Sequence, residues 1–207
     1  MPTTTSVNRY ELAEYLVLLA QQCETKKSAS AGLSVALRYA GPSIKAIADR
    51  GGDVLGSLAG PDAKLPSSRL ALAMLKLEQQ GSSPAPGLLQ AASLAVREAL
   101  VRRDDPNGVE LLCFLVALRS PISAGTGIRT ALIQVGHALR GPISDAIWQL
   151  NDGRELEFDP MVDIIEAVVD DDARILANTL RAAHDSHSPL RHVLGWQIHN
   201  LEVRLGL

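Results

Sequence analysis

Four of the five histidines fall between positions 184 and 199: His184, His187, His192 and His199. His184 and His187 stand three residues apart, a spacing at which two imidazoles on one helix can share a metal ion, and His192 and His199 stand seven apart on one helix face. A tetrahedral zinc site needs further donors, and no cysteine or carboxylate is placed to complete the set. Asp185-Ser186-His187-Ser188-Pro189 reads as a turn, so turn and surface histidines that titrate near neutrality are expected, not ligands. Asp170-Asp171-Asp172 is the other concentration of ligand-type side chains. Consecutive carboxylates on a helix point about 100° apart and do not converge on one cation. Just before an expected helix over 173–183, they suit capping and the positive end of the helix dipole. Glu155, Glu157 and Asp159, alternating with Leu156 and Phe158, read as a solvated loop.

Cys23 and Cys113 each sit in an apolar stretch, as buried free thiols in a reducing compartment do. Two cysteines make neither a zinc site nor a disulfide framework. There is no Gly-x-Ser-x-Gly elbow, no phosphate-binding Gly-x-x-x-x-Gly-Lys-Ser/Thr, and no dinucleotide-binding glycine pattern after a strand. Gly51-Gly52 and Gly56 read as turn glycines. The basic pairs Lys26-Lys27 and Arg102-Arg103 lack interleaved aromatics, and a net charge of −3 provides no general attraction for nucleic acid. No catalytic residue, metal or cofactor is expected.

The elements that carry these residues read as helices throughout. Hydrophobic residues make up 46% and aromatics only 3%, so the core must be built from Leu, Ala, Ile and Val. Apolar residues recur at helical spacing: Leu12, Tyr15, Leu16 and Leu19; Leu70, Ala73, Met74 and Leu77; Leu88, Ala92, Ala95, Val96 and Ala99; Ile143, Ala146, Ile147 and Leu150; and Leu190, Val193, Leu194, Ile198, Leu201 and Leu205. Period-2 alternation is absent, so the fold class is all-α. Pro61, Pro66, Pro84, Pro86, Pro106, Pro121, Pro142, Pro160 and Pro189 mark expected breaks, and Ser67-Ser68 reads as an N-cap. The longest apolar runs, Tyr15–Ala20 and Leu111–Leu118, fall well short of the ~18–20 residues of a membrane span. The N-terminal stretch, polar from Thr3 to Ser6, lacks a targeting pattern. A soluble, cytoplasmic protein is expected.

Two tandem antiparallel helical-bundle modules related by internal duplication are expected, at 1–104 and 105–207, with the boundary in Asp104-Asp105-Pro106-Asn107-Gly108. At a constant offset of 105, Leu75 falls on Leu180, Ser83 on Ser188, Pro84 on Pro189, Leu88 on Val193, Leu89 on Leu194 and Val96 on Leu201. Upstream, Ser30-Ala31-Gly32 matches Ser123-Ala124-Gly125. After two extra residues, Ala36-Leu37 matches Ala131-Leu132 and Gly41 matches Gly136. The halves differ in charge: residues 1–104 carry 12 Lys/Arg against 9 Asp/Glu, residues 105–207 carry 8 against 14. Unlike halves suit docking against each other or against two different partners, and two drifted surfaces would look the same.

The second half runs Phe114-Leu115-Val116-Ala117-Leu118, a glycine turn, Thr130-Ala131-Leu132, a helix ending near Asn151-Asp152-Gly153, then Leu176–Ala183, a polar Ser-His-Ser-Pro turn and Val193-Leu194. The first half matches through Ala31-Gly32-Leu33, Ala36-Leu37, Gln80-Gly81-Ser82 and Gly87-Leu88-Leu89. This pattern resembles the cytoplasmic helical bundles of the type II secretion system F family, which includes the platform proteins of type IV and tight-adherence pili. Family members carry transmembrane helices after or between these bundles, and this sequence shows none. The resemblance therefore implies a bundle that binds a component of such an assembly, its cytoplasmic ATPase or a membrane platform protein, and that is peripheral to the inner membrane through that partner.

Trp148 lies about 140° from Ile143 on a helical wheel, and Trp196 lies away from Leu190, Val193 and Leu201. Aromatics off the apolar stripe of a chain this poor in them point to a protein–protein contact at Trp148, Trp196 or both. Burial of a second helix face in the same bundle is the other reading. The function expected is a non-enzymatic scaffold or adaptor that binds proteins, with self-association as a homodimer among the expectations. The second reading is a helical regulatory protein with a ligand or metal site near the C-terminal histidines.

Overall fold

Leu12, Tyr15, Leu16 and Leu19 form the buried face of the first helix, and the same i, i+3, i+4, i+7 logic repeats down the chain. A computed structural model describes residues 8–26, 29–50, 53–59, 65–100, 105–150, 157–168, 170–186 and 189–207. Among these residues there are twelve α-helices and no strand, so the chain is all-α. No helix is long and apolar enough to cross a membrane among the described residues. The chain divides into two compact units, Met1–Glu78 with Ser83–Arg103, and Gln79–Ser82 with Asp104–Leu207.

The first unit holds α1 (Arg9–Lys26), α2 (Ala29–Tyr39), α3 (Pro42–Ala48), α4 (Val54–Ala59), α5 (Pro66–Glu78) and α6 (Ala85–Leu100). Helix α1 packs against α2, α3 and α6, and α5 lies between α4 and α6. The Glu11 carboxylate on α1 accepts from the backbone N–H and hydroxyl of Ser43, both at 2.8 Å, and so caps α3. Tyr15 is fully buried, and its hydroxyl has no hydrogen-bond partner among the described residues. Burial first, then Asp53 and Cys23, push its ionisation far above the ordinary phenol range. Removing an unsatisfied buried hydroxyl relieves its desolvation cost, so Tyr15→Phe is expected to stabilise the first unit by about 1 kcal/mol in urea unfolding.

The second unit holds α7 (Pro106–Ser123), α8 (Ile128–Ala138), α9 (Pro142–Gln149), α10 (Phe158–Glu166), α11 (Asp171–Ser186) and α12 (Arg191–Leu205). Every residue from Gly108 to Leu118 is buried, so α7 is covered on all sides, as a helix apolar all round requires. It packs against α8, α9 and α12, while α11 lies between α10 and α12. The order and neighbours parallel the first unit.

The correspondence between the units has a different register from the one the sequence suggests. Buried positions of the last helix pair coincide at an offset of 106, not 105: Leu70 with Leu176, Ala71 with Ala177, Met74 with Leu180, Leu77 with Ala183, Leu88 with Leu194 and Ala95 with Leu201. A one-residue slip turns a helix by about 100°, and at 105 the exposed Leu89 and Val96 would fall on the buried Leu194 and Leu201. Upstream the faces coincide at 99, pairing Glu11 with Glu110, Tyr15 with Phe114 and Ala36 with Val135. Ser30-Ala31-Gly32 therefore does not match Ser123-Ala124-Gly125: the former lies within α2 and the latter at the end of α7. Gly41 does not match Gly136, which is inside α8. The glycine in the same structural place is Gly141, at an offset of 100, one residue more than in the helices before it, because Gly41-Pro42 and Gly141-Pro142 open α3 and α9. A Cβ on Gly41 would collide with the Glu11 carboxylate, and one on Gly141 with that of Glu110.

Two expectations about boundaries also change. Pro42, Pro66, Pro86, Pro106, Pro142 and Pro160 sit in first helical turns, where the missing N–H has no intrahelical acceptor to lose. They start helices more often than they end them, and Pro160 therefore does not prevent α10, whose first residues Phe158 and Asp159 read as loop from sequence. Ser67 and Ser68 are not the N-cap of α5 but buried residues of its first turn. Lys27, Gly51-Gly52, Pro61, Arg102-Arg103-Asp104, Asn151-Asp152-Gly153 and Glu155-Leu156 lie outside the described residues.

Candidate binding surfaces

Helix α12 buries Leu194, Ile198, Leu201 and Leu205, and the opposite face carries His192, Trp196, His199 and Val203 at spacings of four, three and four. All four are exposed, Trp196 at 61% and Val203 at 65%. His199 Nδ1 lies 3.8 Å from a Glu202 carboxylate oxygen. Val193, expected in the buried stripe, is exposed at its edge. In the first unit the positions 106 earlier are Pro86, Gln90, Ser93 and Arg97. The apolar side chains at Trp196 and Val203 are therefore not something the helix packing demands.

Trp148 is 39% exposed on α9 and meets the His137 ring edge-on at 3.7 Å between centroids. Among the described residues no ring contact joins Trp148 to Trp196. Partial burial lowers the His137 pKa below 6.5. The folded state therefore resists protonation there. This contribution to stability is complete above pH 6.5 and is lost as pH falls through 6.5 to the lower folded value. An imidazolium edge-on to an indole quenches its fluorescence. In a Trp196→Phe background, quenching of Trp148 is expected to begin only below pH 6.5 and to vanish with His137→Gln. A midpoint at or above 6.5 would contradict the assignment.

The histidines do not converge. His184 on α11 stacks on Phe158 at 4.1 Å, and His192 and His199 lie on the outer face of α12. His187 and Ser188 are outside the described residues. Among the described residues no three His, Cys, Asp or Glu side chains are grouped to hold a metal. An open pocket of about 500 Å³ lies beside His184, lined by Ile122, Thr126, Arg129, Thr130 and Leu190. A second hollow, about 630 Å³, runs between α1 and α6 over Val17, Leu18, Leu89, Ala92 and Val96, with Glu14 at its edge.

The three aspartates have structural roles that sequence reasoning found only in part. Asp170 Oδ1 accepts the Asp172 N–H at 2.8 Å, which caps α11. In addition, Arg204 from α12 reaches Asp170 at 2.8 Å, Asp172 at 2.7 Å and Asp105 at 3.1 Å. Nothing in the local sequence marks Arg204 as their partner. Both cysteines are buried, and neither forms a disulfide. Burial, with Glu78 nearby, pushes the Cys23 thiol up to about 11, so it holds almost no nucleophilic thiolate at neutral pH. No protein-family model, curated protein or solved structure matches the chain.

Proposed function

We propose that the chain is a non-enzymatic helical adaptor that binds other proteins through exposed side chains of its helices. One observation carries this reading: both tryptophans of a chain with 3% aromatics stand at the surface. Indole side chains dominate the energetics of protein contacts and are costly to leave in water without a partner. The parallel helix order, neighbours and buried faces of the two units support descent from one duplicated unit. The resemblance to the secretion F family selects the partner, a cytoplasmic ATPase or platform protein of a pilus or type II secretion-like assembly. The location follows from it, cytoplasmic and peripheral to the inner membrane.

The test is a titration of the purified chain against such an ATPase and the cytoplasmic part of such a platform protein. Trp148→Ala or Trp196→Ala is expected to weaken binding at least about tenfold, the cost of losing a modest hot spot. Folded variants that bind as wild type would sink the adaptor reading at these residues.

The pocket beside His184 favours the second reading, a regulatory protein with a small-ligand site. Arg129 and His184 give it polar character within an apolar wall. Metal analysis of the purified protein and a thermal-shift screen of small anions check it, and no change in either would discard it.

A further inference from the structure

Within the adaptor reading, and resting on it, we propose that α12 pairs antiparallel with α12 of a second copy of this chain about a twofold axis. The spacing of its outer face is palindromic. With the axis between Gln197 and Ile198, Trp196 lies opposite His199 of the second copy, and His192 lies opposite its Val203. The twofold repeats both layers, as an isologous interface requires. Spacings of four and three residues are those of two helices that pack side by side along one seam. A parallel pairing would instead set each histidine against its own image, a like-charge contact whenever the imidazoles are protonated.

The flank of the same helix is charge-complementary to itself. Glu202 and Gly195 share that flank, seven residues apart. The Arg119 guanidinium rests over Gly195, 3.5 Å from where a Cβ would stand. Arg191 lies one turn before Gly195 on the same side. Antiparallel pairing brings Glu202 of each copy to the Gly195 region of the other, so each carboxylate meets a pair of guanidiniums. This self-match is what selects a second copy over an unrelated helix, which could satisfy Trp196 without any relation between Glu202 and Arg119. The face is also outside the packed core, since all four of its side chains are exposed and the helix packs through Leu194, Ile198, Leu201 and Leu205. Four side chains on one helix cover less than the about 1,200 Å² at which stable interfaces begin, so the dimer is expected to be weak and concentration-dependent.

Sedimentation equilibrium of the full chain over a wide concentration range tests the pairing. Wild type is expected to dimerise as concentration rises, and Trp196→Ala to stay monomeric. Glu202→Arg alone, and Arg119→Glu with Arg191→Glu in another chain, are each expected to be monomeric, because each sets like charges against each other. Mixed together, these two variants are expected to pair, because both flanks then match. Wild type that is monomeric throughout, charge variants that still self-pair, or a mixture that fails to pair overturns the inference. A monomeric wild type that still binds the ATPase overturns the pairing alone. One that binds neither overturns the adaptor reading as well.

Discussion

Glu98→Ala is expected to destabilise the first unit by about 3 kcal/mol, the largest effect of any single substitution outside the apolar core. Glu98 is 8% exposed, and its carboxylate accepts the Ser67 N–H at 3.1 Å and the Ser67 hydroxyl at 2.9 Å. Ser67 is completely buried in the first turn of α5. Alanine would leave a backbone N–H and a hydroxyl there without their acceptor, each at about 1–3 kcal/mol for a buried unsatisfied group. It would also remove a negative charge from the positive end of α5, worth roughly 0.3–1 kcal/mol. Burial of the carboxylate has its own cost, which offsets part of this sum and keeps the total near 3. Glu98→Gln retains one acceptor and the shape, so about half the loss is expected. Ser67→Ala removes only the hydroxyl, and about 1 kcal/mol is expected. Because the chain has two units, urea unfolding should be followed with probes in each, and the change is expected in the first unit's transition. A Glu98→Ala loss under about 1 kcal/mol would mean the carboxylate is not what holds the start of α5.

The helices themselves were legible because most of them have one apolar face. The stripes of α1 and α5 read from sequence are the ones the structure buries. Short helices were harder. α4 spans Val54–Ala59 and α10 spans Phe158–Glu166, too few turns for a periodic signal, and α10 carries Pro160 in its first turn. Proline there costs nothing, yet a reading that treats it as a breaker loses the helix. The register read from sequence differs by one residue from the one in which the buried faces coincide, because Ala, Leu and Val alternate densely enough to match in two registers. Only burial separates Leu88–Leu194 from Leu88–Val193.

The off-stripe position of Trp196 followed from the helical wheel alone. Its neighbours did not follow so directly, because a wheel shows which residues share a face but not which face a bundle leaves open. Arg204 and Glu98 were invisible for a third reason. Their partners lie 31 or more residues away, and nothing local predicts a contact across such a separation. At an offset of 106 the two residues occupy the same position in their units. Each ties the last helix to the start of the helix before it, Glu98 at Ser67 and Arg204 at Asp170, with the charge reversed. Each also reaches the first helix: the Glu98 backbone carbonyl accepts from Arg9, and Arg204 pairs with Asp105.

Arg204→Met is accordingly expected to cost the second unit about 2 kcal/mol. Arg204 makes ion pairs with three carboxylates; its hydrogen bond to Asp170 first, and then the nearby charges of Asp170, Asp172 and Asp105, raise the pKa of its guanidinium, so it is charged at every workable pH. Asp170 is 7% exposed at its side chain, while Asp105 and Asp172 are partly open to solvent. Losing the cation leaves the nearly buried Asp170 unpaired, a change of about 3–5 kcal/mol at a fully buried site and about 0–1 kcal/mol at an exposed one. The mixed exposure places this cluster between those limits. Methionine keeps the aliphatic stem, so lost packing is not the cause. Two companion variants separate charge from geometry. Asp170→Asn keeps an N-cap side chain for α11 but removes the negative charge, and combined with Arg204→Met it is expected to restore about half the loss. Arg174→Met breaks the pair with Asp171, where the two side chains are 64% and 84% exposed, and almost no change is expected. Equal losses in Arg204→Met and Arg174→Met would show that the cluster at the start of α11 is no stronger than a surface pair. If instead Arg204→Met alone destabilises, α12 is held at its C-terminal end by that cluster, and the exposed face with Trp196 has a fixed direction from which to meet a partner.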